Sequence, residues 1–542
     1  MRPASVPIPQ LAGGPVVPGA GQPVPVTPSL EGRLDRGSVG LTAIIGPLFI
    51  AVVVVLLAGF GGRLANFIYI TAAVLAGTML YVRAPTGYVG FTLWLWFVTP
   101  FVRRVIDMHH GWSPASPILI APPAVALLSF FTILRRLGEL RGVLYAPYLL
   151  VLLALAYGYS VGVINAGLVP ATYALVTWLA PALFGLHVAL NWRIYPQLGA
   201  AVRQTFVWAV PILAAYGIYQ FVRLPVWDAQ WMLNADMKSI GAPSPFLVRA
   251  FGTLNTPGPF AAFLCAGALM LLPSTGRLRF ISIGVALISL LLARTRAVWV
   301  AFLIGLLAQQ LGQPLRKMPR YVITLLAVAI IAIPVVSMPQ FSATIAPRLR
   351  SFTNLSEDNS FVKRYNFSEQ AASSIVETAE GQGLGMTGGA IKLRGMRGVR
   401  SLDNGFLEVF YIYGWPGGGL FFLGIAGLML QSARFRETRS DPFANATRAT
   451  SIALVSILPI GDVFTGPTGT LLWMSVGFGI AGHAYHLTTG QALRSEAWRA
   501  AVMARTSAAA PGGSGSAETP AAAPGAGGPG TGLAPPVRPL RA

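Results

Sequence analysis

Apolar residues run through this chain in long unbroken blocks separated by short polar joints. Blocks of about 17–25 residues are long enough to cross a bilayer as helices, whereas a β-barrel would show short alternating segments. About fourteen such blocks are found, near 41–60, 64–82, 86–102, 115–134, 143–163, 168–190, 204–222, 258–273, 280–294, 297–312, 321–338, 406–431, 449–465 and 468–486. The pattern predicts an all-α, polytopic bundle of about 12–14 spans. One polar interruption is far longer than the rest, from Pro339 to Gly405, and is expected to carry short helices. Residues 1–36 are rich in Pro and Gly and have no apolar block, so they read as a disordered tail without the core of a signal peptide. Residues 491–542 close the chain as a second tail, rich in Ala, Pro, Gly and Ser from about 507.

Composition supports the membrane reading. Only 11% of residues are charged and mean hydropathy is +0.63, whereas a soluble surface needs about 25% charged residues. The net charge of +21 would suggest nucleic acid in a soluble protein, but basic loops that fix topology account for it, and no nucleic-acid partner is expected. Alternate short joints hold the basic residues: Arg83; Arg135, Arg136 and Arg141; Arg193 and Arg203; Arg277 and Arg279; Arg316, Lys317 and Arg320; Arg434, Arg436, Arg439 and Arg448. The positive-inside rule then puts these joints and both termini in the cytoplasm, and residues 339–405 outside.

Several basic residues fall on the opposite side, among them Arg249, Arg294, Arg296, Arg348, Arg350, Lys363 and Arg364. Arg296 is the sharpest case, because almost no polar loop surrounds it. An arginine near membrane depth costs roughly 2.5–3.5 kcal/mol on insertion scales, so an anionic contact there is expected to offset a real penalty. Arg364 lies beside a helically spaced stripe of Phe361, Tyr365, Ser368, Ala372 and Ile375. A guanidinium suits a diphosphate because its planar fork donates paired hydrogen bonds and keeps its charge. The basic run 392–400, with Lys392, Arg394 and Arg397, reads either as a substrate contact or as a patch for anionic headgroups. The glycines at 381, 383 and 385 read either as a flexible turn or as backbone that approaches a phosphate or sugar. Asp403 and Asn404 precede an apolar block, where Asp403 is a candidate base and either residue suits a helix cap. No metal-ligand spacing or nucleotide loop occurs, so no cofactor is expected, and Cys265 sits in an apolar block.

Three patches resemble the superfamily of O-antigen ligases and Wzy-type polymerases. RAFGTLNTPGPFAAFL (Arg249–Leu264) is similar to an Arg-x-x-Gly…Asn-Pro-x-x-Phe entry into a span, with Pro257 and Gly258 where Asn-Pro-Asn is common. LLARTRAVWVAFLIGLL resembles a Ser-Arg-Gly-Ala-Trp signature, with Thr295 for the Ser, Arg296 for the Arg and Trp299 for the Trp. Arg364, the glycine run and SLDNGFLEVFYIYGWPGG together resemble the Arg…Gly-x-Gly…His-Asn pattern, with Asp403 at the His position. The resemblance implies inverting glycosyl transfer from an undecaprenyl-diphosphate-linked glycan at the periplasmic face of a bacterial inner membrane. It implies Arg296 and Arg364 as diphosphate clamps and Asp403 as base. Arg249, Asn404, Arg348, Arg350, Lys392, Arg394 and Arg397 are the candidate substrate contacts, with a flippase and a chain-length regulator as expected partners. A polymerase of repeat units is the expected activity, because the ligase reading calls for the His. The alternatives are a ligase acting on lipid A or protein, and a transporter for a lipid-linked sugar.

Overall fold

A computed structural model describes residues 28–235, 238–274, 276, 278–311, 322, 326, 375, 378–395, 402, 404–435 and 441–509, with the side chains of 28–38, 238 and 491–509 excepted. The chain divides into two units, residues 1–487 and 488–542. The first is a helix bundle, and of the second residues 488–490 and the helical backbone from there to Ala509 are described. In order the helices are α1 (Pro28–Leu57), α2 (Ala65–Arg83), α3 (Pro85–His110), α4 (Ala121–Leu127), α5 (Ser129–Arg135), α6 (Ala146–Ala166), α7 (Leu168–Leu190) and α8 (Tyr195–Arg223). They continue with α9 (Val226–Ala235), α10 (Pro257–Leu271), α11 (Leu278–Leu292), α12 (Arg296–Gln310), α13 (Gly405–Arg434), α14 (Pro442–Val455) and α15 (Gly466–Ala509). Among the described residues 9 helical segments are long and apolar enough to cross a membrane, and α10, α11 and α12 are shorter apolar helices. The apolar block at 321–338 lies outside the described residues.

Two basic residues assigned to joints lie well inside helices rather than at their ends. Arg203 is eight residues into α8 and faces the Phe443 ring at 5.4 Å. Arg448 is buried within α14, which begins seven residues earlier than the apolar block at 449–465. The early start follows from polar satisfaction. Asn445 donates to the Gln309 carbonyl at 2.7 Å, and Arg448 donates to the Ala308 carbonyl at 3.1 Å and to Asn445 at 2.8 Å. Buried polar groups that find partners cost little, so a polar stretch is helical and buried here.

The pairing of α6 with α13 organises the site. Small residues let the two backbones approach: a side chain at Gly158 would strike the Tyr413 ring, and one at Gly424 would meet Pro147 and Val151. Helix α13 breaks at Gly414, whose φ of 60° no helix contains, and Pro416 follows. The break frees backbone groups about nine residues, or roughly 13 Å, below the start of the helix. The glycine run takes them up. The N–H groups of Gln382 and Gly383 donate to the carbonyls of Tyr411 and Ile412, each at 2.8 Å, and Trp415 N–H donates to Ala379 at 2.9 Å. Leu384 N–H reaches the Gly158 carbonyl on α6 at 2.8 Å. Irregular backbone at membrane depth is tolerated where protein buries it and pairs its polar groups.

The run therefore re-enters the bundle between α6 and α13. Its glycines have φ of 81°, 82° and 99°, and a Cβ at Gly381 or Gly383 would collide with the backbone of Gly414 or Gly162. They serve close helix packing, a role distinct from both a flexible turn and a phosphate cradle.

Candidate functional site

Where the re-entrant run leaves the bundle, it forms one wall of a cavity of about 270 Å³. Thr387, Gly388, Gly389 and Ala390 make that wall, and Glu408 on the first turn of α13 stands beside it. Leu254, Asn255, Thr256 and Pro259 come from the loop into α10, and Thr465, Gly466 and Pro467 from the start of α15. Helix α3 adds Trp96, Thr99 and Pro100, α4 adds Pro122 and Pro123, and α7 adds Tyr173, Thr177 and Trp178. Two patches singled out in the sequence, separated by more than a hundred residues, thus share one cavity.

The walls are held from behind. Arg104 on α3 is fully buried and pairs with Asp228 at 2.7 Å. It also donates to the carbonyls of Gly252 and Leu254, each at 2.6 Å. Asp228 accepts further from Tyr216 at 2.8 Å and Gln220 at 2.6 Å, while the Gln220 oxygen accepts from the N–H groups of Phe251 and Gly252, both at 2.9 Å. Through Arg104 and Gln220 this chain of contacts ends on the loop that lines the cavity. Trp178 is fixed by ring contacts to Tyr413 at 5.5 Å and Phe421 at 5.8 Å. Asp462 shapes the 461–465 loop by accepting from Phe464 N–H at 2.7 Å and from the Thr465 hydroxyl. Burial raises its carboxyl above the ordinary value, and those hydrogen bonds offset part of the rise.

The predicted site residues divide into three groups. Arg249 reaches the turn between α11 and α12 that ends at Arg296. Arg249 donates to the carbonyls of Ser239 at 2.8 Å, Ala293 at 3.3 Å and Arg294 at 3.1 Å, and to the Thr295 hydroxyl at 3.3 Å. Arg294, at φ 52°, reaches back to the carbonyls of Val248 at 2.7 Å and Leu247 at 3.1 Å. The two arginines clamp each other's loops, which ties the turn preceding Arg296 to the loop that continues into the cavity wall. Arg296 itself is the first residue of α12 and half-buried.

Lys392 and Arg394 form the second group, on the 3-10 helix Gly388–Arg394. Lys392 donates to the Pro114 carbonyl at 3.0 Å and Arg394 to that of Asn165 at 3.3 Å, so this helix is docked on the α3–α4 and α6–α7 joints. Asn404 caps α13: its side-chain oxygen accepts from Phe406 N–H at 3.0 Å and Leu407 N–H at 3.2 Å. The third group, Asp403, Arg348, Arg350, Arg364 and Arg397, lies outside the described residues, as does most of the stripe before Ile375. Among the described residues no cation lines the cavity.

Sequence reasoning missed Arg104, Asp228 and Glu408. Each is an ionisable residue within or beside an apolar block, and such residues are rare enough in membrane helices to mark a site by default. Neither protein-family models nor curated proteins give a match to this chain.

Proposed function

We propose that this protein is a membrane glycosyltransferase of the O-antigen ligase and Wzy polymerase kind. It joins lipid-diphosphate-linked repeat units into a polysaccharide at the periplasmic face of a bacterial inner membrane, with both termini cytoplasmic. The observation that carries the reading is convergence. The loop after Arg249, residues Thr387–Ala390 and Glu408 line one cavity, and the turn bearing Arg296 is tied to that loop by Arg249 and Arg294. A transporter reading calls for internal repeats with midplane charges. A site built from unlike loops at one end of a bundle suits transfer chemistry better.

In this proposal Arg296 and Arg364 hold the donor diphosphate. Cations fixed where the leaving group gains charge stabilise the transition state more than the ground state. Lys392, Arg394, Arg397, Arg348 and Arg350 draw the anionic donor to the same end. Asp403 is the base that the resemblance implies. The energy resides in the glycosyl–diphosphate bond, so transfer needs no nucleotide.

A deletion strain tests the activity. A polymerase-null cell attaches only single repeat units to its surface acceptor, whereas a ligase-null cell accumulates lipid-linked polymer. An unchanged polysaccharide ladder contradicts both. Sidedness is tested by labelling cysteines placed at the exposed Lys392 and Arg193 with an impermeant maleimide in intact cells, since native Cys265 is buried. Only Lys392→Cys is expected to react, and equal labelling of the two contradicts the topology.

A further inference from the structure

The cavity's chemistry points to a more specific role than the donor site. We infer that it receives an uncharged sugar ring of the acceptor glycan, and that Glu408, in place of the Asp403 that the resemblance implies, takes the proton from the attacking hydroxyl; this rests on the glycosyl-transfer reading above.

Among the described residues the walls offer a diphosphate no counter-charge: they hold no cation and one carboxylate, Glu408. Helices α10, α13 and α15 all begin here, and free N–H groups at helix starts ordinarily cradle phosphates. Those donors are largely missing. Pro257 and Pro259 open α10, Pro467 follows the first residue of α15, and Asn404 occupies two N–H groups of α13.

The walls do suit a sugar. A pyranose has an apolar C–H face and a rim of hydroxyls. Trp96 and the locked Trp178 supply apolar faces. The hydroxyls of Tyr173, Thr256 and Thr387 line the cavity with no hydrogen-bond partner among the described residues. The volume of about 270 Å³ lies at the low end of small-molecule sites, which span roughly 300–1,000 Å³. It admits a single ring better than a whole repeat unit.

In the step proposed, the acceptor hydroxyl oxygen bonds to the donor's anomeric carbon. The bond from that carbon to the diphosphate oxygen breaks, and its electron pair leaves on the lipid diphosphate. The hydroxyl proton passes to Glu408 and from there to water.

The test uses the full chain in lipid nanodiscs. The substrate is lipid-linked oligosaccharide extracted from a strain lacking this protein, and the free glycan is that material after mild acid release. Glu408→Gln should lower turnover about 10²–10⁴-fold, the ordinary contribution of a general base. It should leave glycan affinity, read by tryptophan fluorescence, within about threefold. Glu408→Asp should restore part of the rate. The double variant Tyr173→Phe, Thr387→Val should weaken glycan binding about tenfold or more, two lost hydrogen bonds at about 1 kcal/mol each. Added undecaprenyl diphosphate should not displace the glycan. Displacement by the diphosphate, or near-wild-type turnover in Glu408→Gln while Asp403→Asn is inactive, overturns the inference and leaves glycosyl transfer standing. Absence of any elongation by the wild type instead removes the parent reading, and this one with it.

Discussion

Two polar clusters in the bundle use similar side chains in opposite ways. Asp441, just before α14, is saturated. One carboxylate oxygen accepts from the N–H groups of Phe443 at 2.8 Å and Ala444 at 3.2 Å. The other accepts from Tyr195 at 2.7 Å and His486 at 3.0 Å. The cavity at the start of α13 keeps its capping and its chemistry separate. Neutral Asn404 does the capping, and Glu408 one turn on lines the cavity beside the Tyr173, Thr256 and Thr387 hydroxyls, which have no protein partner among the described residues. A closed cluster spends its groups on the fold. An open one costs stability unless a ligand completes it. The Arg104–Asp228 pair belongs to the closed kind, but it acts on behalf of the open one by holding the cavity loop.

The contrast can be broken from the closed side first. Asp228→Ala leaves Arg104 buried and uncompensated, so about 3–5 kcal/mol of stability should be lost, seen as a large drop in thermal midpoint in detergent. Replacing both, Arg104→Met with Asp228→Leu, should recover much of that midpoint. Glycan binding should stay weak, because the carbonyls of Gly252 and Leu254 have lost their donor.

Gly383→Ala should cost about 2–4 kcal/mol, from an unfavourable φ together with collision against α6. It should also loosen the wall that the re-entrant run builds. A wild-type midpoint for this variant would contradict the packing role assigned to the run.

Asp441→Ala should cost about 0.5–2 kcal/mol as a lost cap. Its dependence on pH has a definite sign. Burial raises the Asp441 carboxyl, but hydrogen bonds from His486, Tyr195 and the Ala444 and Phe443 N–H groups outweigh burial and hold it below its ordinary value. Such a group contributes stability above its unfolded pKa, near 3.9, and loses that contribution as pH falls through the lower folded value. The gap in midpoint between wild type and Asp441→Ala should therefore be full at pH 7 and shrink below about pH 4. The smallest effect on stability belongs to the open side. Tyr173→Phe alone should shift it by no more than about 0.5 kcal/mol while glycan binding falls.

The bundle was legible in the sequence because a bilayer imposes long apolar blocks. The helix starts were less so. Helix α14 begins among Asn445, Thr447 and Arg448, residues that look like a loop until their partners on α12 are known. Of the arginines that stand against the positive-inside pattern, Arg249 and Arg294 have donors engaged with backbone carbonyls. Glycines 381, 383 and 385 signalled close approach, but the object approached was helix backbone. Glu408 passed unnoticed in FLEVF because a lone acid in an apolar block has no spacing to reveal it. Its place in the cavity depends on contacts from five other helices, which no local pattern encodes.

The most direct measurement of the central claim is elongation of labelled lipid-linked oligosaccharide by the purified chain in nanodiscs, with Arg296→Ala alongside. The account predicts products that grow by whole repeat units with the wild type and none with Arg296→Ala at an unchanged thermal midpoint. No elongation by the wild type, or equal elongation by the variant, would contradict it.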